Sequence, residues 1–266
     1  MKSTEQEHLE LVRERFTRTV EPFAAAVLAR GQEVARLTQM ATADYANVES
    51  AAVMDVACGP ATFSRAFAPR VARVVGVDFT PAMLAKARRV ADEAGLANLE
   101  FVCGDGNALP FADGTFDLAL CTYAFHHLPE PAKVLGEMAR VVRKGGRVAI
   151  VDVIIPERAD AAVHNRIERL RDPSHATTLT DAGLRELFRA ADLRAIASEV
   201  YERERDFDDW MCGAGWQAGS PVYAEVRRQV EASQTNDAAG FAPHVDPASG
   251  ALLMLQVALL LVAEKV

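Results

Sequence analysis

Apolar and polar positions alternate in two rhythms through the first 155 residues. Short apolar runs recur at residues 52–57, 73–78, 99–103, 116–122 and 147–154, with the length and composition of buried strands. Segments with helical spacing lie between them, at 62–68, 81–94 and 131–142. Thr80 ahead of Pro81 marks a helix start, and Gly145-Gly146 mark a helix stop. Strands alternating with helices predict a parallel sheet covered on both faces, an α/β fold.

The flanks differ. Residues 5–37 keep helical spacing with no glycine before Gly31, and Phe16, Val20, Phe23 and Val27 fall near one face. A helix or helix pair is expected there. After Ile155-Pro156 the chain is polar and helical over 157–171, turns at Asp172-Pro173-Ser174, and offers Thr180 as the cap of a helix reaching 191. A strand at 193–201 follows, then helical 210–230 with a break at Gly219-Ser220-Pro221, a loop near 236–247, and a last strand at 252–263. The expected organisation is a helical lid over 1–50 and a core over 51–155. Cap helices with a returning core helix and strand occupy 156–250, and the final strand lies in 251–266. Seven strands are expected, in a mostly parallel Rossmann-like sheet.

Composition narrows the picture. Half of the 266 residues are hydrophobic, enough for one large core. A net charge of −8 argues against nucleic acid, whose phosphates need basic patches. The four cysteines form no CxxC pair and no metal set, so three are expected as small apolar strand residues. The N-terminus is too polar for a signal peptide, and the apolar run at 252–262 is too short for a membrane helix. A cytoplasmic protein, monomeric or homodimeric, is expected.

The chemistry concentrates at strand ends. Val53-Met54-Asp55-Val56-Ala57-Cys58-Gly59-Pro60-Ala61-Thr62-Phe63 is an apolar run with an acid, broken by small residues before a helix. Small side chains let a nucleotide-type ligand approach the backbone at the helix N-terminus. Asp78 ends the next strand, about twenty residues on, where a carboxylate takes ribose hydroxyls. A pyrophosphate needs several glycines, but here one glycine precedes Pro60, which lacks an N–H. S-adenosylmethionine (SAM), an adenosine sulfonium without phosphate, fits better. Asp55 then faces the ammonium of its amino-acid tail, and Ala57, Cys58 and Gly59 its backbone approach. Asp105, in the turn Gly104-Asp105-Gly106-Asn107, meets the adenine amine, with Phe79 and Met83 against the ring.

These motifs resemble the class I SAM-dependent methyltransferases, of the type that includes the ubiquinone and menaquinone biosynthesis C-methyltransferases. The resemblance runs through residues 53–63, Val75-Gly76-Val77-Asp78, 104–111, Phe116-Asp117-Leu118, Phe125-His126-His127-Leu128 and 142–147. It departs in the first turn, where Ala57 and Ala61 stand in place of glycines. Methyl transfer to carbon or oxygen of a small molecule, by in-line displacement, is what the resemblance implies. It puts Cys121, Thr122, Tyr123 and Phe125 at the active-site floor, with backbone carbonyls near Cys121 and Thr122 taking the ammonium. Tyr123 or Phe125 would face the sulfonium. Phe16, Thr17 and Phe23 would cover the cofactor. Catalytic candidates are His126 of the His126-His127 pair, Tyr123, and His175 as a substrate-facing base. The rivals are a SAM-binding cyclase or scaffold of the same fold and an NAD-dependent oxidoreductase, which lacks a visible Tyr-xxx-Lys. Nucleic-acid methylation is disfavoured by charge and by the missing base-flipping motif.

Overall fold

The computed structural model describes residues 4–28 and 30–266. The five early apolar runs form parallel strands: β1 (Ala52–Val56), β2 (Arg73–Asp78), β3 (Leu99–Cys103), β4 (Phe116–Thr122) and β5 (Val142–Val153). Two long strands complete the sheet, β6 (Leu193–Asp206) and β8 (Leu252–Lys265), with β8 antiparallel to both β5 and β6. The order is β3-β2-β1-β4-β5-β8-β6, and the two-residue β7 (His244–Val245) pairs with β8. The mostly parallel Rossmann-like sheet is therefore the expected one, with one short strand added.

Consecutive strand residues point to opposite faces and feed two cores. Met54, Val75 and Leu259 pack with Leu135 of α6 (Pro131–Val141) and Phe188 of α8 (Asp181–Ala190). Their neighbours Val53, Val74 and Leu260 pack on the other face with Leu37 of α3 (Gly31–Thr42), Phe67 of α4 (Thr62–Phe67) and Ala91 of α5 (Pro81–Glu93). A third, separate core joins Ile167 of α7 (Ala161–Arg171), Trp210 of α9 (Phe207–Gly213) and Val226 of α10 (Pro221–Ala232) with Met254. Thr180 caps α8 by accepting from the Gly183 N–H at 3.1 Å.

Four expectations need correction. The N-terminal region forms α1 (Thr4–Arg18), α2 (Val20–Leu28) and α3 rather than one helix or a pair. β6 continues past 201 through charged residues, because an edge strand exposes one side and alternating polarity suffices. β5 begins at Val142, with a register shift against β4 before the core segment. Of the cysteines, Cys121 is buried in a strand, Cys58 is buried in the turn after β1, and Cys103 and Cys212 are exposed. Among the described residues, no helix is long and apolar enough to cross a membrane.

Candidate active site

The strand order reverses between β1 and β4, which opens a crevice at their carboxyl ends. The turn leaving β1 bends through left-handed backbone at Ala57 (φ 54°), Gly59 (φ 53°) and Ala61 (φ 63°). Glycine adopts this conformation freely, whereas each alanine carries about 1–2 kcal/mol of steric cost. The turn is stitched to β2, since the Gly59 N–H donates to Asp78 Oδ2 at 2.9 Å and the Cys58 N–H to the Val77 carbonyl at 3.1 Å. Gly76 makes room: a side-chain carbon there would sit 2.9 Å from both Cys58 Sγ and Phe101 Cδ1.

A cleft opens above this turn, with about 740 Å³ of empty space counting the part open to solvent. Ala57, Cys58, Gly59, Asp78, Phe79 and Met83 line one side, and Thr122 and Tyr123 reach it from the end of β4. Leu9, Val12, Phe16, Phe23 and Val27 close it from α1 and α2. Phe16 packs edge-on against both Phe23 and His127, with ring centroids 5.1 Å apart in each case.

The acids at the strand ends differ. Asp78 is 7% exposed and also accepts from the Thr80 N–H at 2.8 Å. Burial raises its pKa, opposed by these backbone donors. Asp55 is fully buried beneath the turn, where Ser64 donates to its Oδ2 at 2.5 Å and its Oδ1 has no partner. Burial pushes Asp55 up to about 7. Asp105 is exposed and accepts from the Asn107 N–H at 2.9 Å, while Asn107 is buried with an unpartnered Oδ1.

Several expected residues lie outside the cavity wall. Asp55, Gly104, Asp105, Gly106, Asn107 and Cys121 do not line it, and Cys121 and Phe125 pack into the core on one face of the sheet. His175 is 2% exposed, its Nε2 bonds Asn165 Oδ1 at 2.8 Å, and burial pushes it down to about 3. It lines neither this cavity nor the one beside it, and its bond to Asn165 ties the turn after α7 to that helix. Tyr123 does reach the cavity, through left-handed backbone (φ 52°). Its hydroxyl is held by Glu33 at 2.5 Å and Tyr201 at 2.8 Å, and burial raises it to about 12. The Arg30 guanidinium sits 3.6 Å from the centre of its ring, so one face already meets a cation.

A second cavity of about 650 Å³ adjoins the first and shares Phe16, Phe23, Tyr123 and His127 with it. His126 lines this second space. Its Nδ1 bonds Asp152 Oδ1 at 2.6 Å, and Asp152 Oδ2 also accepts from the His126 backbone N–H at 3.1 Å. With Nδ1 donating to a carboxylate, the lone pair lies on Nε2. His127 is different: its Nδ1 donates to the Ser174 carbonyl at 2.9 Å, and burial followed by the neighbouring His126 drives its pKa well down. Sequence analysis missed Asp152, which is 1% exposed, although an acid inside an apolar strand run is the same signal that exposed Asp55. Among the described residues, no group of three or more His, Cys, Asp or Glu gathers to hold a metal.

Residues 54–150 match the family model described as a methyltransferase domain. An uncharacterized methyltransferase of Bacillus subtilis, YcgJ, is 34% identical over 165 residues, covering 61% of this chain and 65% of its own length. The demethylmenaquinone methyltransferase of Thermus thermophilus is 38% identical over 108 residues, 40% of this chain and 49% of its own. The chain thus spans less than two thirds of these curated relatives. The crystal structure of YcgJ superimposes with a TM-score of 0.78 at 27% identity, covering 89% of this chain and 99% of that one. A Bacillus halodurans structure assigned as a methyltransferase gives 0.80 at 28% identity, with 88% and 99% covered. The match over residues 54–150 lies on the strand-end crevice, so this part of the chain is similar to the methyltransferase domain, and the whole fold is similar to the two Bacillus structures.

Proposed function

We propose that this chain transfers the methyl group of SAM to carbon or oxygen of a small-molecule acceptor. The observation that carries the reading is the pair of adjoining cavities: one sits over the β1 turn and Asp78, the other is lined by His126 with buried Asp152 behind it, and both meet at Tyr123 and His127. Several features fit the cofactor. Asp78 keeps free carboxylate lone pairs for ribose hydroxyls beside two backbone donors. Asp55 holds a buried, unpartnered oxygen beneath the turn, which supports a role toward the tail ammonium through that turn. Phe79 and Met83 line the side nearest Asp78 and would flank the adenine. Asp105 and the unpartnered Asn107 Oδ1 are the proposed contacts for its edge. Carbonyls at Cys121 and Thr122 are proposed for the ammonium.

When bound, the cofactor supplies an electrophilic methyl on a sulfonium. The chain's own contribution is alignment and exclusion of water, to which Phe16 and Phe23 contribute by closing the cavity. Where the acceptor must lose a proton, His126 Nε2 takes it, and Asp152 acts as the positioning residue that fixes the tautomer. The deciding experiment incubates the protein with methyl-deuterated SAM and a metabolite extract, followed by mass spectrometry. A labelled product with matching S-adenosylhomocysteine is expected; bound SAM that is never converted to S-adenosylhomocysteine overturns the transfer reading.

A further inference from the structure

We propose that the acceptor carries an oxyanion, a carboxylate or a phosphate, seated on Arg30 and Arg205 in the second cavity. The proposal builds on the methyl-transfer reading of the adjoining site. Four arginines line this cavity, Arg15, Arg30, Arg171 and Arg205, against two carboxylates, Glu168 and Asp172. The carboxylates are already committed: Arg15 pairs with Asp172, and Arg171 with Glu168 at 3.0 Å. Arg203, next to the cavity on β6, pairs with Glu33 at 3.3 Å. Among the described residues, no carboxylate lies within ion-pair distance of Arg30 or Arg205.

The two unpaired guanidiniums are also short of hydrogen bonds. Arg30 Nε and Nη1 are buried without any partner. Arg205 Nη1 donates to Gln256 Oε1 at 3.2 Å, an oxygen that Arg203 Nη2 already holds at 2.6 Å. Leaving buried donors unpaired is costly, and more so for charged groups. Burial lowers Arg205 to about 9, with repulsion from Arg171, Arg30 and Arg203 adding to the effect. An incoming anion relieves both the missing bonds and the repulsion, and the planar guanidinium fork matches an oxyanion in two-point geometry.

The rest of the lining describes the body of the ligand. Phe16, Phe23 and Val153 are apolar walls, and Tyr123 is stacked under Arg30. His126 lines the same space, so an anion on the arginines leaves the remainder of the molecule beside the proposed base. The acceptor class is therefore an amphipathic acid with an apolar or aromatic body.

The test titrates benzoate, phenyl phosphate and the neutral benzamide into the protein by calorimetry, with S-adenosylhomocysteine present and absent. Wild type is expected to bind one or both anions and to bind benzamide at least tenfold more weakly. Arg205→Met and Arg30→Met should each weaken the anion at least tenfold while S-adenosylhomocysteine affinity stays within twofold. Arg205→Lys, which keeps the charge, serves if a methionine variant fails to fold, and should fall between wild type and Arg30→Met. Tighter benzoate assigns a carboxylate, tighter phenyl phosphate a phosphate. Equal binding of benzamide, absence of anion binding, or variants that bind like wild type overturn the proposal. Failure to bind S-adenosylhomocysteine would count against the methyltransferase reading alone, because the anion comparison is decided without it.

Discussion

The two cavities share a wall but are built in different ways. The cofactor-side cavity takes its floor from chain segments that immediately follow β1, β2 and β4, at register positions aligned by the parallel ladder. The acceptor-side cavity collects Arg15 from α1, His126 from the loop after β4, Glu168 from α7, Arg205 from β6 and Gln256 from β8. Strand-end turns supply the floor of the first, and side chains from five separate elements supply the wall of the second. The first is mostly apolar with buried acids, and the second is crowded with arginine. A reaction that brings a cationic donor to an anionic acceptor suits that division.

Substitutions on each side should break the comparison differently. His126→Ala is expected to have the largest effect, slowing turnover about 100- to 10,000-fold if the acceptor must be deprotonated. SAM affinity measured by calorimetry should stay unchanged, and Asp152→Asn should shift the pH profile of turnover in the same series. Loss of SAM binding in His126→Ala would erase the proposed separation of the two sides.

Asp78→Ala should do the opposite. Two hydroxyl contacts to a charged acceptor are worth roughly 1.5–3 kcal/mol each, so SAM affinity should fall about 100-fold or more. Some loss of Tm is expected too, since the Gly59 and Thr80 N–H groups lose their acceptor. Unchanged affinity would remove Asp78 from the cofactor site.

The pH dependence of Asp55 sharpens the contrast further. Its folded pKa, about 7, lies above the ordinary carboxylate value, so the native state holds an extra proton between about pH 4 and 7. Its contribution to the stability of the ligand-free protein is present below pH 4 and is lost as pH rises towards 7. A cationic ligand favours the ionised form, so SAM affinity should rise over the same window. Asp55→Asn should flatten both slopes, as followed by thermal melts and calorimetry.

The smallest expected effect concerns the turn. Ala61→Gly relieves left-handed strain at a fully buried position, so stability should change by at most about 1 kcal/mol, upward if strain outweighs the added chain entropy. A drop larger than 2 kcal/mol in denaturant melts would show that the Ala61 methyl is needed for packing.

Much of the fold was legible because its signals are local. Five strands, the helices between them and the acids at their ends are written in runs of five to fifteen residues, and the alternation imposes a parallel sheet. Asp152 was legible by the same rule and was passed over. The extension of β6 was not, since its charged alternation has meaning only once β8 lies beside it. His175 stood at a turn in the sequence, and only packing against Asn165 reveals its burial. From the sequence alone follow the doubly wound architecture, the strand-end crevice and, through its motifs, the family resemblance, because hydrophobic periodicity and turn chemistry act between near neighbours. Tertiary structure alone decided that Asp152 stands behind His126, that His175 is buried, and that, among the described residues, Arg30 and Arg205 are left without carboxylates. Those outcomes depend on side-chain contacts between separate elements, such as Arg15 with Asp172 and Arg203 with Glu33, and neither propensity nor spacing records such contacts.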